Sequence, residues 1–373
     1  MASFQKRGKT WQYTVSRMVN GKYKPIREGG FATKKEARVA AADVETNLRK
    51  GIVPNLKPIP LYEYFEEWYK VFKSDIANST RTHYEYTLKI IKNYFNDKPI
   101  QDIRKKEYQE FLNWYGSDHA KETVEKVNAH IRGCVHEAID ESIINVDFTR
   151  KAKVTGNVQA KPSNEKHLGF EESEMLLKEL RNRLDRGLGY YLLLLGLSSG
   201  LRYGELVGLT RKDFDFQNNT INVDKTWGYL NKMHEGFGTT KNVQSIRKIK
   251  IDPKTMNVFE KLFGETPTNI HQLVFFSQSS KYSVISNNNA NKLLKNVLKD
   301  LGIKKPITVH GLRHTHASVL LYKRVSILYV SERLGHGDID TTYRDYSHVI
   351  KELREEDENN TTKIFENMSL INV

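Results

Sequence analysis

Apolar residues recur with a changing period along this chain, and the changes divide it. In the first stretch Trp11, Tyr13 and Val15 alternate with Gln12 and Thr14, the two-residue period of a half-buried strand. Asn20-Gly21 predicts a tight hairpin turn, because both positions tolerate positive φ, with Tyr23 and Ile26 on the return strand. Gly29-Gly30 predicts another break before Phe31, and Thr33 followed by Glu36 predicts a capped helix start. From Leu61 the spacing lengthens to three and four. Leu61, Tyr64, Phe65, Trp68 and Phe72 mark one helix; Tyr84, Leu88, Ile91 and Phe95 mark a second, after a cap at Ser79 or Thr80. A third helix is expected near Arg104 to Tyr115, and a fourth carries Val124, Val127, Ile131, Val135 and Ala138 on one face. Beyond residue 167 the pattern is mixed. Phe170, Met175, Leu176 and Leu180 predict a helix, and the apolar run Tyr190 to Leu197 predicts another that is buried. Thr220 to Asp224 and Ile246 to Ile251 alternate like strands, Leu273 to Phe276 is a short apolar run, and helices follow from Asn287. An acidic run, Glu355 to Glu358, precedes an apolar tail of Ile364, Phe365, Met368, Leu370 and Ile371.

Two linkers separate these stretches. Pro54, Pro58 and Pro60 stiffen the first, and Lys151, Lys153, Gly156, Lys161, Pro162 and Ser163 make the second polar. The expected organisation is therefore multidomain. A small N-terminal β-sheet plus helix domain spans 1–55, an all-α domain 61–155, and a mainly α, mixed α+β domain with a C-terminal tail 167–373.

Charge adds a partner to this picture. The 373-residue chain has a net charge of +14, which suits a polyanion whose counterions are released on contact. Residues 1–51 hold twelve basic and four acidic side chains, a net +8. Lys6, Arg7, Lys9, Arg17, Lys22, Lys24 and Arg27 fall in the predicted sheet, and a small sheet or ribbon fits the DNA major groove. A solvated basic face is the plainer alternative. Membranes are the other polyanion, but the run at Tyr190 to Leu197 is far short of the roughly 20 apolar residues of a span. The N-terminus lacks the layout of a signal peptide. The single Cys134 can form neither an internal disulfide nor a Cys-based zinc site, and reads as a core residue beside Ile131, Val135 and Ala138. A cytoplasmic protein is expected.

Four polar clusters in the last stretch carry candidate chemistry. Ser199-Gly200-Leu201-Arg202-Tyr203-Gly204-Glu205-Leu206 follows the apolar run, with Gly200 as a helix stop and Glu205 three residues beyond Arg202. Thr240-Lys241 through Ser245-Ile246-Arg247 reads as a hairpin-like segment entering a strand. His310-Gly311-Leu312-Arg313-His314-Thr315-His316 places His310 and Arg313 on one helix face. The fourth comprises Leu334-Gly335-His336 and Thr341-Thr342-Tyr343-Arg344-Asp345-Tyr346-Ser347-His348. Each has a plain alternative: an Arg capping a helix, a Tyr in packing, three His as a metal site. The last is disfavoured, because their spacings put no three on one face with a carboxylate.

Their joint occurrence in this order resembles the catalytic domain of the tyrosine recombinases, the integrase family of phages and integrative elements. The matches are Gly-Leu-Arg-x-x-Glu-Leu at Arg202, the strand-turn Lys241, His-x-x-Arg at His310 and Arg313, Leu-Gly-His at His336, and Tyr-x-His at Tyr346. The earlier stretches resemble, by pattern, the family's arm-type DNA-binding domain and its helical, SAM-like core-binding domain. The resemblance implies a catalytic set of Arg202, Lys241, His310, Arg313, His336 and Tyr346, with Glu205 in support. Two guanidiniums would clamp the phosphate oxygens, and Tyr346 would attack to leave a 3′-phosphotyrosyl link. His310 would accept the tyrosine proton, Lys241 would protonate the departing 5′ oxygen, and His336 would bond the phosphate or support the nucleophile. Neither metal nor ATP nor any other cofactor is implied. Implied partners are double-stranded DNA at attachment core and arm-type sites, further copies in a homotetramer that exchange C-terminal tails, and directionality or DNA-bending factors. The implied activity is integration and excision of a prophage or mobile element. A type IB topoisomerase shares this chemistry but rejoins the same strand, and the extra basic N-terminal domain argues for recombination. A non-catalytic DNA-binding protein of the same fold is the remaining alternative.

Overall fold

The computed structural model describes residues 2–19, 22–49, 57–159, 162, 165–230, 233–352 and 354–369, without the side chains of 19, 22, 348–352, 354–356 and 367–369. The predicted Asn20-Gly21 turn, Pro54 in the first linker, Lys161 and Ser163 in the second, and Leu370 and Ile371 lie outside the described residues. So do the side chains of Lys22, His348 and Met368. The chain divides into two compact units, residues 1–160 and 161–373.

The first unit opens with a sheet in the order β1 (Ala2–Arg7), β2 (Thr10–Val15), β5 (Ile26–Phe31), all antiparallel. Between β2 and β5 lies a short ribbon of β3 (Met18–Val19) and β4 (Lys22–Tyr23). One strand adds to those expected, and one expectation changes. Strand β1 lacks a clear alternation after Phe4, and its place comes from pairing with β2. Gly29 and Gly30 do not break the chain. They lie inside β5, where Gly30 takes φ +98° and the register slips between Trp11 and Gln12, so the glycines accommodate a bulge. Helix α1 (Lys34–Arg49) packs on β2, burying Ala37, Ala41 and Val44 with Tyr13, Val15 and Ile26. Its start is capped as expected: the Glu36 amide donates to Thr33 Oγ1 at 3.2 Å, and the Thr33 hydroxyl donates to the Glu36 carboxylate at 3.0 Å. Tyr13 and Val15 face α1, so their neighbours along β2 face away. The register then puts Arg7 and Arg27, with Gln5, Gln12 and Thr14, on the open face.

The same unit holds four further helices: α2 (Leu61–Phe72), α3 (Asn78–Phe95), α4 (Lys105–Gly116) and α5 (Lys121–Asp140). Their predicted stripes meet in one core that includes Phe65, Trp68, Ile91, Phe111, Ile131 and Cys134, but Phe72, at the last turn of α2, is exposed and lies outside it. Ser79 and Thr80 are not caps. Ala77 precedes the helix and its carbonyl accepts from Thr80 and Arg81, so both residues sit in the first turn.

The second unit is built around α7 (Leu188–Ser199), whose Leu192 to Leu195 are buried on every side. Helices α6 (Phe170–Asn182), α8 (Tyr203–Gly208), α9 (Pro253–Glu265), α10 (Asn287–Asp300) and α11 (Val309–Tyr322) pack against it. Helices α12 (Ile327–Leu334), α13 (Ile339–Glu352) and α14 (Arg354–Ser369) follow. The predicted strands become β7 (Thr220–Val223) and β10 (Arg247–Lys250), paired antiparallel in a three-stranded sheet with β6 (Phe214–Asp215). A separate ribbon pairs β8 (Lys225–Trp227) with β9 (Phe237–Thr239). Residues 240–247 are therefore no hairpin: they cross from β9 to β10, which pair with different partners. Leu273 to Phe276 makes only isolated bridges, Leu273 to Thr210 and Phe276 to Val284.

Candidate active site

Two glycine-terminated helices bring the polar clusters together. Helix α7 stops at Gly200, left-handed at φ +70°, where a Cβ would stand 2.7 Å from the His316 ring. The chain then turns to Arg202 at the start of α8. Helix α12 stops at Gly335, also left-handed at φ +67°, where a Cβ would lie 3.0 Å from Arg247 Nη1 and Ser245 Cα. The last carbonyls of α12 lack helical partners and carry the negative end of its dipole. Both predicted arginines bind there. Arg313 donates to Leu334 O at 2.8 Å and to Gly200 O at 2.9 Å. Arg202 donates to Gly335 O at 3.0 Å and reaches Leu334 O at 3.5 Å. The two guanidiniums thus share one turn before any phosphate arrives. Burial, and then Arg202 beside it, lower the proton affinity of Arg313, which remains a cation at neutral pH.

Glu205 is buried under this pair. Its carboxylate accepts from the Arg202 amide at 3.0 Å, from Arg202 Nη1 at 2.8 Å and from Arg247 Nη2 at 3.0 Å. Burial alone would raise its pKa, but the Arg247 and Arg202 charges outweigh it and hold the carboxyl below its usual range. Arg247 also donates to Ser245 O and Arg333 O, each at 2.7 Å, which ties β10 to the end of α12. Its place in Ser-Ile-Arg was legible as a strand entry, but its link to Glu205 depends on a contact 42 residues away.

Helix α11 carries His310 and Arg313 on its first turns, as expected, yet in different settings: His310 is exposed and Arg313 is buried. Desolvation in the recess, then Arg313 and Arg202, lower the His310 pKa. His336 puts Nδ1 2.6 Å from Thr342 Oγ1, and burial followed by Arg313 and Arg202 lowers it to about 4. Tyr346 on α13 is 1% exposed, whereas Tyr343 is 56% exposed. The Tyr346 hydroxyl lies 2.8 Å from Nδ1 of His314, and among the described residues it has no hydrogen bond to His310. His314 carried no assigned role in the sequence; its adjacency to Arg313 and its one-turn spacing from His310 were the available signals. His316 is structural. Its ring accepts from Arg333 Nε at 2.9 Å and its Nδ1 meets Leu197 O at 2.9 Å.

Lys241 is exposed on the crossing from β9 to β10, and among the described residues it has no hydrogen-bond or ion-pair partner. Its neighbour Asn242 lies against Gly337, just past His336, and Ser245 on the same crossing accepts from Arg202 Nη1 at 3.2 Å. The lysine therefore extends from a segment anchored to the arginine turn. In the first unit Lys6, Arg7, Lys9, Lys24 and Arg27 are exposed and Arg17 is half-buried.

The phage integrase family matches residues 166–352, an arm DNA-binding domain matches residues 3–48, and the N-terminal SAM-like domain of phage integrases matches residues 60–114. The integrase of Staphylococcus phage L54a is 27% identical over 350 residues, covering 86% of this chain and 98% of that protein. A XerC-like tyrosine recombinase of Caldanaerobacter subterraneus is 25% identical, covering 90% of this chain and 91% of that protein. The fold is similar to that of the Tn1549 transposon integrase solved with circular intermediate DNA. There the TM-score is 0.65 at 17% identity, over 81% of this chain and 99% of that one. The chain belongs to the phage integrase family, the tyrosine recombinases that cleave and rejoin DNA strands. The topoisomerase alternative is not favoured by these relatives.

Proposed function

We propose that this recombinase integrates and excises a prophage or mobile element, with Arg202, Lys241, His310, Arg313, His336 and Tyr346 as its catalytic set. The observation that carries the reading is the turn at Leu334 and Gly335, which gathers both guanidiniums while His336 follows it directly. A phosphodiester under attack gains negative charge on its nonbridging oxygens, and two fixed guanidiniums match that charge bidentately. Tyr346 attacks phosphorus and leaves a 3′-phosphotyrosyl link, Lys241 protonates the departing 5′ oxygen, and His336 steadies the phosphate. His310, expected to accept the tyrosine proton, is exposed and among the described residues has no hydrogen bond to Tyr346, so it is assigned to the phosphate instead. Glu205 orients Arg202. The bond energy stays in the covalent link, so rejoining needs no ATP, and the guanidiniums do the charge work of a metal.

Three domains divide the task in this reading. Residues 1–55 read arm-type sites with the face bearing Arg7 and Arg27, helped by Lys6, Lys9, Arg17, Lys22 and Lys24. Residues 61–155 hold the core site, and 167–373 cut it. The DNA is double-stranded and synapsed by a homotetramer, with directionality or bending factors as accessory partners, in the cytoplasm of a prokaryote. Among the described residues no helix is long and apolar enough to cross a membrane.

A nicked duplex made from the element–chromosome junction tests the reading, because loss of the short nicked strand traps the covalent adduct. The native protein forms the adduct in EDTA without nucleotide. Tyr346→Phe binds the duplex equally well and forms none, whereas Tyr343→Phe still forms it. An adduct that persists in Tyr346→Phe, or one that requires added Mg²⁺, defeats the corresponding part of the reading.

A further inference from the structure

We propose that His314 takes the proton from the Tyr346 hydroxyl as that oxygen attacks phosphorus, an inference that rests on Tyr346 being the nucleophile. Tyr346 is 1% exposed, so bulk water does not reach its hydroxyl and the acceptor is a protein group. The imidazoles nearby are not equivalent. His316 uses both ring nitrogens on Leu197 and Arg333, and His336 commits Nδ1 to Thr342. His314 alone among the described residues meets the phenol, Nδ1 to hydroxyl at 2.8 Å. That length is an ordinary hydrogen bond within reach of proton transfer. His310 stands one helical turn before it, ring edge to ring face at 4.8 Å between centroids, and faces solvent.

In the resting site the His314 imidazole is neutral. Burial first, then the charges of His310 and Arg313, lower its pKa to about 3, which leaves a lone pair free at Nδ1 when the proton sits on Nε2. An incoming phosphate brings negative charge beside Arg313 and offsets the penalty on imidazolium. The step balances. A bond forms from Tyr346 Oη to phosphorus and the bond from phosphorus to O5′ breaks. The phenolic proton moves to His314 Nδ1, and the 5′ oxygen takes one from Lys241 Nζ. Rejoining reverses each transfer.

The test is single-turnover cleavage of the nicked junction duplex, with either oxygen or sulfur at the 5′ bridging position. A sulfur leaving group needs no proton, so it rescues loss of the acid but not loss of the base. His314→Gln and His314→Leu should slow cleavage on the order of 100-fold on both substrates, with DNA affinity unchanged. Lys241→Ala should recover on sulfur. His314→Asn keeps an acceptor near the Nδ1 position, orients the phenol, and should cleave at a rate between native and Gln. Native rates in His314→Gln, or recovery of it on sulfur, would overturn the proposal. Should Gln and Leu fail to bind DNA, Asn decides: slow cleavage at native affinity upholds the role, and native speed overturns it. An adduct in Tyr346→Phe removes the nucleophile reading itself, a result separate from any His314 outcome.

Discussion

At the residue scale the site is an arrangement of like charges made tolerable by backbone carbonyls and one buried acid. Arg202, Arg247 and Arg313 crowd around Glu205, whose carboxylate bonds the first two. Arg247 is the member with no assigned contact to DNA, and only 8% of its side chain is exposed. Removing it leaves Glu205 with a single cationic partner in a buried place, and breaking such a pair costs about 3–5 kcal/mol. Arg247→Met is therefore expected to lower the thermal midpoint and to slow adduct formation at least tenfold, while affinity for the junction duplex stays near native. Unchanged cleavage would mean that Arg202 is held adequately by Glu205 and the turn alone. The motif residues were legible because they are local in sequence. Arg247 and His314 were not, since each acquires its part from a contact across 42 and 32 residues.

At the element scale, the helices read well and the strands in part: β2, β7 and β10 follow their alternation, while β1 and the β8–β9 ribbon were not announced. Stripes such as Leu61, Tyr64, Phe65 and Trp68 record one-sided burial directly, and that pattern survives in α2. Strand β1 ends in Gln5, Lys6 and Arg7, all exposed, so no alternation announced it. The crossing from β9 to β10 looked like a hairpin because turn residues mark a change of direction but not the partner on the other side. Two elements carry separable tasks. Deleting residues before Leu61 should leave adduct formation on the core junction intact and abolish binding to a second, arm-type duplex, as read by gel shift. Equal binding of both duplexes would remove the arm-site role of the sheet. The tail is helical in α14, with Ile364 57% and Phe365 67% exposed. Ending the chain after Arg354 should weaken cooperative assembly on paired sites in sedimentation. Unchanged assembly would count against exchange of tails between copies.

At the scale of the whole molecule, stability and reactivity share a histidine chemistry. Burial is the first cause that lowers His130 and His336 to about 4 and His314 and His316 to about 3. The unfolded chain binds these protons near the ordinary value of about 6.5, so it holds more protons than the fold below that pH. Stability is therefore expected to be full above pH 6.5 and to decline as the pH falls from there toward 4, before most carboxylates titrate. Thermal midpoints by scanning fluorimetry at half-unit steps check this, and a flat profile down to pH 4.5 would refute it. Another consequence follows from the burial of Tyr346. A protein that scans a chromosome passes a great many phosphodiesters, all chemically alike. With its phenol sheltered against α11, an encounter with the wrong sequence ends in departure, not in a broken strand. Discrimination then resides in the event that brings a phosphate past this shelter to the hydroxyl while His314 still lies against it, and the speed of recombination becomes a measure of how seldom that event occurs away from the proper site.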